Sequence, residues 1–338
     1  MILTPKVRKT FDIATRLVIA ALALTYIFYR LYTLPAGQVN TFFDSVLHHK
    51  NVNYLATALV LLMLINWGTE SLKWKLLIAQ SEKIKFLNAY QAILGGLAVS
   101  IFTPNRVGEF MGRVFILKKT DPVKAILLTV VGSFSQLLIT IVAGTAAYLV
   151  FAPKYFPGVL PESFWLVKGF SVSLVIISII MLLAFFNIGV LHRISILAPS
   201  RYSERILNSI DAIAGCPKQL LLKTVLLSAF RYMVFSIQFF ISIRLMELDF
   251  TFTECLQVIP VMYLVLAAIP TAALTELGVR GSVAVFLFGL VGGSTATSPE
   301  WSLAIISATT LIWLLNIALP SLAGVLVVFR LKFFRKWY

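Results

Sequence analysis

The chain has 338 residues, of which 59% are hydrophobic and 13% are charged, and its mean hydropathy is +0.92. This is more apolar surface than one soluble core could bury, so a lipid bilayer is the expected solvent. The formal net charge of +15 does not indicate nucleic-acid binding, because the basic residues fall in short clusters between long apolar runs.

Six apolar runs are long enough to cross the hydrocarbon core of a membrane as helices. They cover residues 14–34, 52–67, 125–151, 169–191, 224–246 and 301–329. The sequence therefore predicts an all-α polytopic membrane protein with about six full transmembrane helices.

Two further apolar stretches, 89–102 and 256–269, are too short to cross. Each ends at a proline, Pro104 or Pro270, and is followed by another short limb. Irregular backbone at membrane depth is tolerated where protein or a water-filled cavity satisfies its polar groups. We therefore expect two re-entrant hairpins, at residues 86–113 and 252–293.

The orientation follows from the basic clusters, because loops rich in Lys and Arg stay in the cytoplasm. These clusters place both termini in the cytoplasm, and we expect the protein to lie in the plasma (inner) membrane. The first hairpin then enters from the cytoplasmic side and the second from the outside. The segment 73–86 mixes four lysines with large apolar residues, which predicts a helix lying in the cytoplasmic interface; a solvated connector is the alternative.

An internal repeat relates the two halves of the chain. Four residues of the first hairpin recur in the second at a constant offset of 166, and one inserted residue later a Glu and an Arg recur as well. The matched pairs are Phe86 and Phe252, Gln91 and Gln257, Ile93 and Ile259, Pro104 and Pro270, Glu109 and Glu276, and Arg113 and Arg280. We predict a first repeat at 1–168 and a second at 169–338, each with three spans and one hairpin. An odd number of crossings per half makes the repeat inverted.

Each hairpin carries a Glu and an Arg four residues apart, a spacing that places both on one helix face. Ionisable groups at membrane depth are costly, so they normally pair with each other or face a substrate path. Glycines near these groups would let the backbones approach closely, and helices that begin after the two prolines would direct positive dipole ends toward an anion. The candidate headgroup-binding residues are Arg106, Glu109, Arg113, Glu276 and Arg280, with Pro104, Gly108, Pro270 and Gly278 shaping the hairpin backbones. The alternative is that each pair only pins its hairpin.

Arg231 is a further candidate, because it lies inside the predicted span 224–246. Its guanidinium either faces a cavity or extends along the helix to the cytoplasmic surface. Four amides also fall within predicted spans, where their ordinary role is hydrogen bonding between helices. These are Asn66, Gln136, Gln238 and Asn316.

Catalytic and cofactor motifs are not evident in the sequence. His48, His49 and His192 do not have the spacing of a zinc site, and no nucleophile elbow, phosphate-binding loop or dinucleotide fingerprint occurs. We therefore expect no metal, no cofactor and no enzymatic activity.

The stretches TPNRVGEFMGR, at 103–113, and TAALTELGVRG, at 271–281, give the chain a family resemblance. It resembles the lysylphosphatidylglycerol synthase transmembrane family over nearly its whole length. In the first stretch the residues that match the family pattern are Pro104, Arg106, Gly108, Glu109 and Arg113. In the second stretch Pro270, Gly278 and Arg280 match, whereas Glu276 replaces a usual glycine and Gly281 a usual acid.

This resemblance implies translocation of a lipid between leaflets, or transport of glycolipid or hopanoid-like lipids. The arginines of the two hairpins favour an anionic or phosphate-bearing headgroup. The resemblance does not imply aminoacyl-lipid synthesis, which belongs to a soluble domain that we do not expect after the last span. Two alternatives stay open at this point: a membrane-embedded lipid-phosphate enzyme, and a non-transporting partner of a membrane glycosyltransferase or other lipid-modifying enzyme.

Overall fold

The computed structural model describes residues 50–100, 107–114, 116–156, 164–190, 204–269, 273–293 and 298–330. Throughout these ranges the regular structure is helical and no strand occurs. The predicted span 14–34 and the residues Pro104, Arg106 and Pro270 lie outside them, as does the side chain of Glu276.

Eleven α-helices follow one another along the described chain. They are α1 (Val52–Ile78), α2 (Phe86–Ser100), α3 (Gly108–Val114), α4 (Pro122–Tyr155), α5 (Phe164–Phe186), α6 (Glu204–Ala214), α7 (Lys218–Leu245), α8 (Phe252–Ala268), α9 (Ala273–Gly292), α10 (Pro299–Trp313) and α11 (Leu319–Arg330). A π-helical turn, Leu314–Ala318, joins α10 to α11.

Five of these segments are long and apolar enough to cross a membrane. They are Val52–Ile78, Pro122–Tyr155, Val167–Phe186, Lys218–Leu245 and Pro299–Gly324. Each contains or overlaps one of the predicted spans, so the prediction of a polytopic all-α membrane protein is confirmed.

The prediction of an interfacial helix at 73–86 is wrong. Residues 73–78 are the last turns of α1, and both Lys73 and Trp74 are 1% exposed. The prediction treated the lysines as a solvated set, whereas Lys73 forms an ion pair inside the protein with Glu70, one turn earlier on the same helix. That internal partner lets the helix continue past Trp67 without leaving a buried charge unpaired.

The first hairpin consists of α2 and α3, which pack against each other. A β-carbon added at Gly112 would lie 2.6 Å from the Cα of Gly96, so the predicted close approach of the two limbs is confirmed there. The Glu82 carboxylate accepts hydrogen bonds from the backbone N–H groups of Lys118, Lys119 and Thr120 at 2.8–3.2 Å. Because this contact joins the segments on either side of the hairpin, the hairpin starts and finishes at one end of the bundle.

The second hairpin consists of α8 and α9, and its outer ends also lie together. The ring of Phe250, before α8, is 5.0 Å from that of Phe288 in α9 and 6.3 Å from that of Trp301 in α10. The second limb differs from that of the first hairpin: α9 has 20 residues and α3 has 7.

The two hairpins start at opposite ends of the bundle, because α1 and α7 run antiparallel. Gln238 of α7 donates to the carbonyl of Leu59 in α1 at 3.0 Å, and Lys73 donates to Ser228 at 3.2 Å. The C-terminus of α1, which leads into the first hairpin, is therefore remote from the C-terminus of α7, which leads into the second.

Two apolar cores occupy the two ends of the bundle. One is built around Trp74, Leu77 and Ile93 beside the first hairpin, and the other around Phe239 and Phe288 beside the second. Polar side chains of α1, α4 and α7 lie where one core gives way to the other, and they form the candidate site.

Candidate functional site

Glu70 is the centre of a buried cluster of charged side chains. Its Oε1 accepts from Nη2 of Arg113 at 3.2 Å, and its Oε2 accepts from Nζ of Lys73 at 2.8 Å and from Nη1 of Arg231 at 3.2 Å. Arg113 also pairs with Glu109 of the same helix. The side chains of Glu70, Lys73 and Arg113 are at most 4% exposed, so pairing has to offset a large desolvation cost.

The acceptors around Nζ of Lys73 suit a protonated ammonium group. Besides Glu70, its Nζ donates to the carbonyl of Gly132 at 3.1 Å and to the hydroxyl of Ser228 at 3.2 Å. Three acceptors match the three N–H bonds of a protonated lysine. The packing at Gly132 is close, because a β-carbon there would lie 3.0 Å from Cδ1 of Leu77, which would have to shift, and 3.7 Å from Cε of Lys73.

Arg231 lies near the middle of the 28-residue helix α7. Its Nε donates to Oδ1 of Asn66 at 2.9 Å, and its Nη1 donates to Oε1 of Gln136 at 3.3 Å as well as to Glu70. Its guanidinium lies 5.0 Å from the ring centroid of Trp67, which is cation–π geometry. Of the two predicted orientations, the guanidinium of Arg231 therefore has the one that faces the cavity, and it does not extend to the cytoplasmic surface.

A chain of hydrogen-bonded amides begins at Asn66, the acceptor of Arg231 Nε. Asn66 donates to Asn316 at 2.8 Å, and Asn316 donates to Gln238, also at 2.8 Å. Asn316 lies in the π-helical turn Leu314–Ala318, and such turns re-aim side chains relative to an unbroken α-helix. The predicted interhelical hydrogen bonding of all four amides is confirmed.

A cavity of about 180 Å³ adjoins the charged cluster. Its lining residues come from α1, α4, α7 and α8: Asn66, Gln136, Thr140, Arg231, Tyr232, Phe235 and Tyr263. Among the described residues that line it, Arg231 is the one that carries a charge, and the arginine side chain is 20% exposed. The buried hydroxyl of Tyr232 has no hydrogen-bond partner within the described part of the chain.

Arg280, the counterpart of Arg113 in the second hairpin, lies behind one wall of this cavity. Its Nη1 donates to the hydroxyl of Tyr263 at 3.4 Å, and its guanidinium lies 5.6 Å from the centroid of that ring. The residue is 6% exposed. Tyr263 thus lies between Arg280 and the cavity that Arg231 faces.

The structure brings together some of the predicted site residues. Glu109, Arg113 and Arg231 belong to one cluster, and Arg280 is placed against the cavity wall. Gly108 and Gly278 are buried near the starts of α3 and α9. Pro104, Arg106, Pro270 and the side chain of Glu276 lie outside the part of the chain that the structure describes.

Sequence reasoning missed Glu70 and Lys73, the two charges at the centre of the cluster. The signal was available, because Asn66, Glu70 and Lys73 are spaced i, i+4 and i+7 and so share one helix face. The predicted span ended at residue 67, which removed two of the three from consideration.

The cluster holds no arrangement of ligands that suits a metal. Among the residues that the structure describes, no group of three or more His, Cys, Asp or Glu side chains could hold an ion.

Comparison with protein families gives a match over most of the chain. A family model described as "Lysylphosphatidylglycerol synthase TM region" matches residues 13–317. Neither the curated proteins nor the solved structures include a significant match to the chain.

Proposed function

Because this chain belongs to the lysylphosphatidylglycerol synthase transmembrane family, we propose that it moves a lipid with an anionic or phosphate-bearing headgroup between the two leaflets of the plasma (inner) membrane. One observation carries this proposal: the guanidinium of Arg231, at the middle of a transmembrane helix, faces a cavity of about 180 Å³. An arginine at membrane depth that is both paired and open to a cavity is typical of a substrate path, and a guanidinium is well suited to bind an anion.

The cavity walls suit the junction of a headgroup with its lipid tails. Asn66, Gln136 and Thr140 contribute polar groups to the lining. Phe235 and Tyr263 contribute aromatic rings, whose centroids are 4.7 Å apart. Ligand sites usually combine an apolar lining with a few placed polar groups of this kind.

The helix arrangement supports a mechanism of alternating access. The α2 limb of the first hairpin packs on α11, and the α8 limb of the second hairpin packs on α4. The hairpin of each half therefore packs against a helix of the other half. Hairpins that start from opposite ends are what an inverted repeat at 1–168 and 169–338 requires. In this proposal the halves rock about the α1–α7 pair and expose the cavity to each leaflet in turn.

Orientation in the membrane follows from the same geometry. Glu82 joins the loop after α1 to the loop before α4, and these loops carry Lys83, Lys85, Lys118 and Lys119. We assign this end to the cytoplasm because basic loops are retained there.

A transport role fits the carboxylates better than an enzymatic one does. A general base needs a free lone pair directed at the substrate. Glu70 accepts from three cations through both of its oxygens, so it is engaged in holding the arginines and the lysine, and Oε1 of Glu109 is paired with Arg113.

The test is lipid scrambling in reconstituted vesicles. Purified protein is reconstituted with a fluorescent phosphatidylglycerol, and the fraction accessible to a membrane-impermeant quencher is followed with time. We expect the wild type to move label between leaflets, Arg231→Gln to lose most of this activity, and the matched control Arg244→Gln, at an exposed ion pair with Asp249, to keep it.

Two results would contradict the proposal. One is a wild-type rate equal to that of protein-free vesicles at the same lipid composition. The other is recovery of the labelled lipid with a changed mass, which would indicate the membrane-embedded enzyme instead.

A further inference from the structure

The charges of the buried cluster do not balance. Lys73, Arg113 and Arg231 contribute three positive charges, and Glu70 and Glu109 contribute two negative charges, which leaves one positive charge among these ion-paired side chains. Arg280 lies outside this ion-paired set, and the sequence places a carboxylate, Glu276, one helical turn before it.

The uncompensated charge is located at the cavity. Lys73 and Arg113 are 1–2% exposed and are surrounded by protein, whereas Arg231 is 20% exposed and lines the cavity. Nε and Nη1 of Arg231 have protein acceptors, but Nη2 donates to none of the described residues.

We propose that this cavity binds a single phosphate diester carrying one negative charge, with Nη2 of Arg231 as its ligand and Glu70 as the positioning residue that sets the ligand charge the site accepts. The inference rests on the proposed function for the lipid source of the diester. The volume agrees, since a cavity of about 180 Å³ has room for one phosphate group.

Glu70 determines the selectivity because it cancels one of the three cations. A monoanionic diester brings the cluster to neutrality, a zwitterionic headgroup leaves the positive charge in place, and a dianionic monoester adds one uncompensated negative charge in a poorly solvated site. Replacing Glu70 by Gln would raise the cluster to two positive charges and favour the monoester.

Binding is measured through Trp67, whose ring is stacked on Arg231 and should respond to an anion there. The fluorescence change of the wild type is corrected with the Trp67→Phe variant, since the chain has six tryptophans. The probes are short-chain phosphatidylglycerol (a diester), phosphatidic acid (a monoester), phosphatidylcholine (a zwitterion) and tail-free dimethyl phosphate, at a mildly alkaline pH.

We expect the wild type to bind phosphatidylglycerol at least about tenfold more tightly than phosphatidylcholine, and no less tightly than phosphatidic acid. In Glu70→Gln the affinity for phosphatidic acid relative to phosphatidylglycerol should rise at least about tenfold, because one unit charge has been removed within a few ångströms of the ligand. Asp249→Asn, which removes a fully exposed carboxylate, should leave the ratio unchanged.

A second variant keeps the inference testable if Glu70→Gln does not fold. Arg231→Gln brings the cluster to neutrality and should abolish the preference for phosphatidylglycerol over phosphatidylcholine. Equal wild-type affinities for these two lipids, or an unchanged ratio in a folded Glu70→Gln protein, would overturn the inference.

The two proposals fail in different ways. Lipid scrambling without charge-selective binding would overturn the diester inference and leave transport standing. Selective binding of phosphatidylglycerol without scrambling would overturn transport and support the diester site. Dimethyl phosphate binding as tightly as the lipid would also support the diester site, but would assign it to a soluble phosphate ester.

Discussion

The two hairpins carry the same Glu and Arg spacing, but the structure anchors their arginines differently. Arg113 of the first hairpin reaches across to Glu70 of α1, so an ion pair joins this hairpin to a transmembrane helix. Arg280 of the second hairpin contacts Tyr263 of its own other limb, through the ring face and the hydroxyl.

The difference shows that one motif can serve two mechanical roles. An ion pair in a poorly solvated interior is costly to break, so the first hairpin should act as a fixed element. The contact of Arg280 with Tyr263 joins the two limbs of the second hairpin to each other, so we expect it to hold the shape of that hairpin. The following predictions test this contrast, from the largest expected effect to the smallest.

Removing the Glu70 carboxylate should have the largest effect on stability. Glu70→Ala leaves Lys73, Arg113 and Arg231 buried with one carboxylate fewer, and removing one partner of a buried ion pair costs about 3–5 kcal/mol. Thermal unfolding in detergent measures this, with Asp249→Ala as a control that should show no measurable change. A Glu70→Ala protein as stable as the wild type would refute the fixed-hairpin role.

The helix crossings that hold the hairpins should be the next most sensitive. A β-carbon at Gly324 of α11 would lie 1.9 Å from the carbonyl oxygen of Leu94 in the first hairpin, and one at Gly144 of α4 would lie 2.6 Å from Cβ of Leu264 in the second. Overpacking costs about 1–3 kcal/mol, so both Gly→Ala variants should lose stability, with Gly324→Ala losing more.

Gly169 is the matched control, since a β-carbon there would meet no atom within 4 Å. Gly169→Ala should be neutral or slightly stabilising in the same unfolding measurement. If it destabilises as much as Gly324→Ala, the loss does not come from the helix crossings.

Loss of the Tyr263 hydroxyl should have a smaller effect. Tyr263→Phe keeps the ring beneath Arg280 and removes the acceptor at 3.4 Å, which should cost about 1 kcal/mol. In the scrambling assay we expect the variant to retain activity. A loss comparable to that of Arg231→Gln would show that the second hairpin also depends on a polar anchor.

The smallest effect concerns Glu82, which lies outside the membrane-spanning helices. Partial burial acts to raise its pKa, but the backbone N–H groups of Lys119, Lys118 and Thr120 and the Thr120 hydroxyl outweigh that effect, so the pKa lies below the ordinary value of 4.5. A lowered folded-state pKa means that Glu82 contributes stability above about pH 4.5 and loses it as the pH falls through the lowered value.

The measurement compares Glu82→Gln with the wild type across acidic pH. The stability difference should be largest near neutral pH and should shrink toward zero in acid. A difference that is independent of pH would show that the carboxylate charge does not hold the two loops together.

Local patterns accounted for much of the fold and for part of the site. Glu109 and Arg113 could be paired from their spacing, because residues four apart on a helix are neighbours. Arg231 and the four amides could be selected because a polar group inside an apolar run must find a partner. Which partner each one finds was not predictable, since Glu70 and Arg231 are 161 residues apart.

The sequence by itself determined that this is a polytopic helical membrane protein of the lysylphosphatidylglycerol synthase transmembrane family, because long apolar runs have few stable solutions other than helices in a bilayer. Only the tertiary structure decided that Glu70 collects three cations, that Lys73 is internal, and that Arg231 faces the cavity. Those contacts depend on how α1, α3 and α7 pack, and the free energy of a buried charge is set by partners that no local pattern specifies.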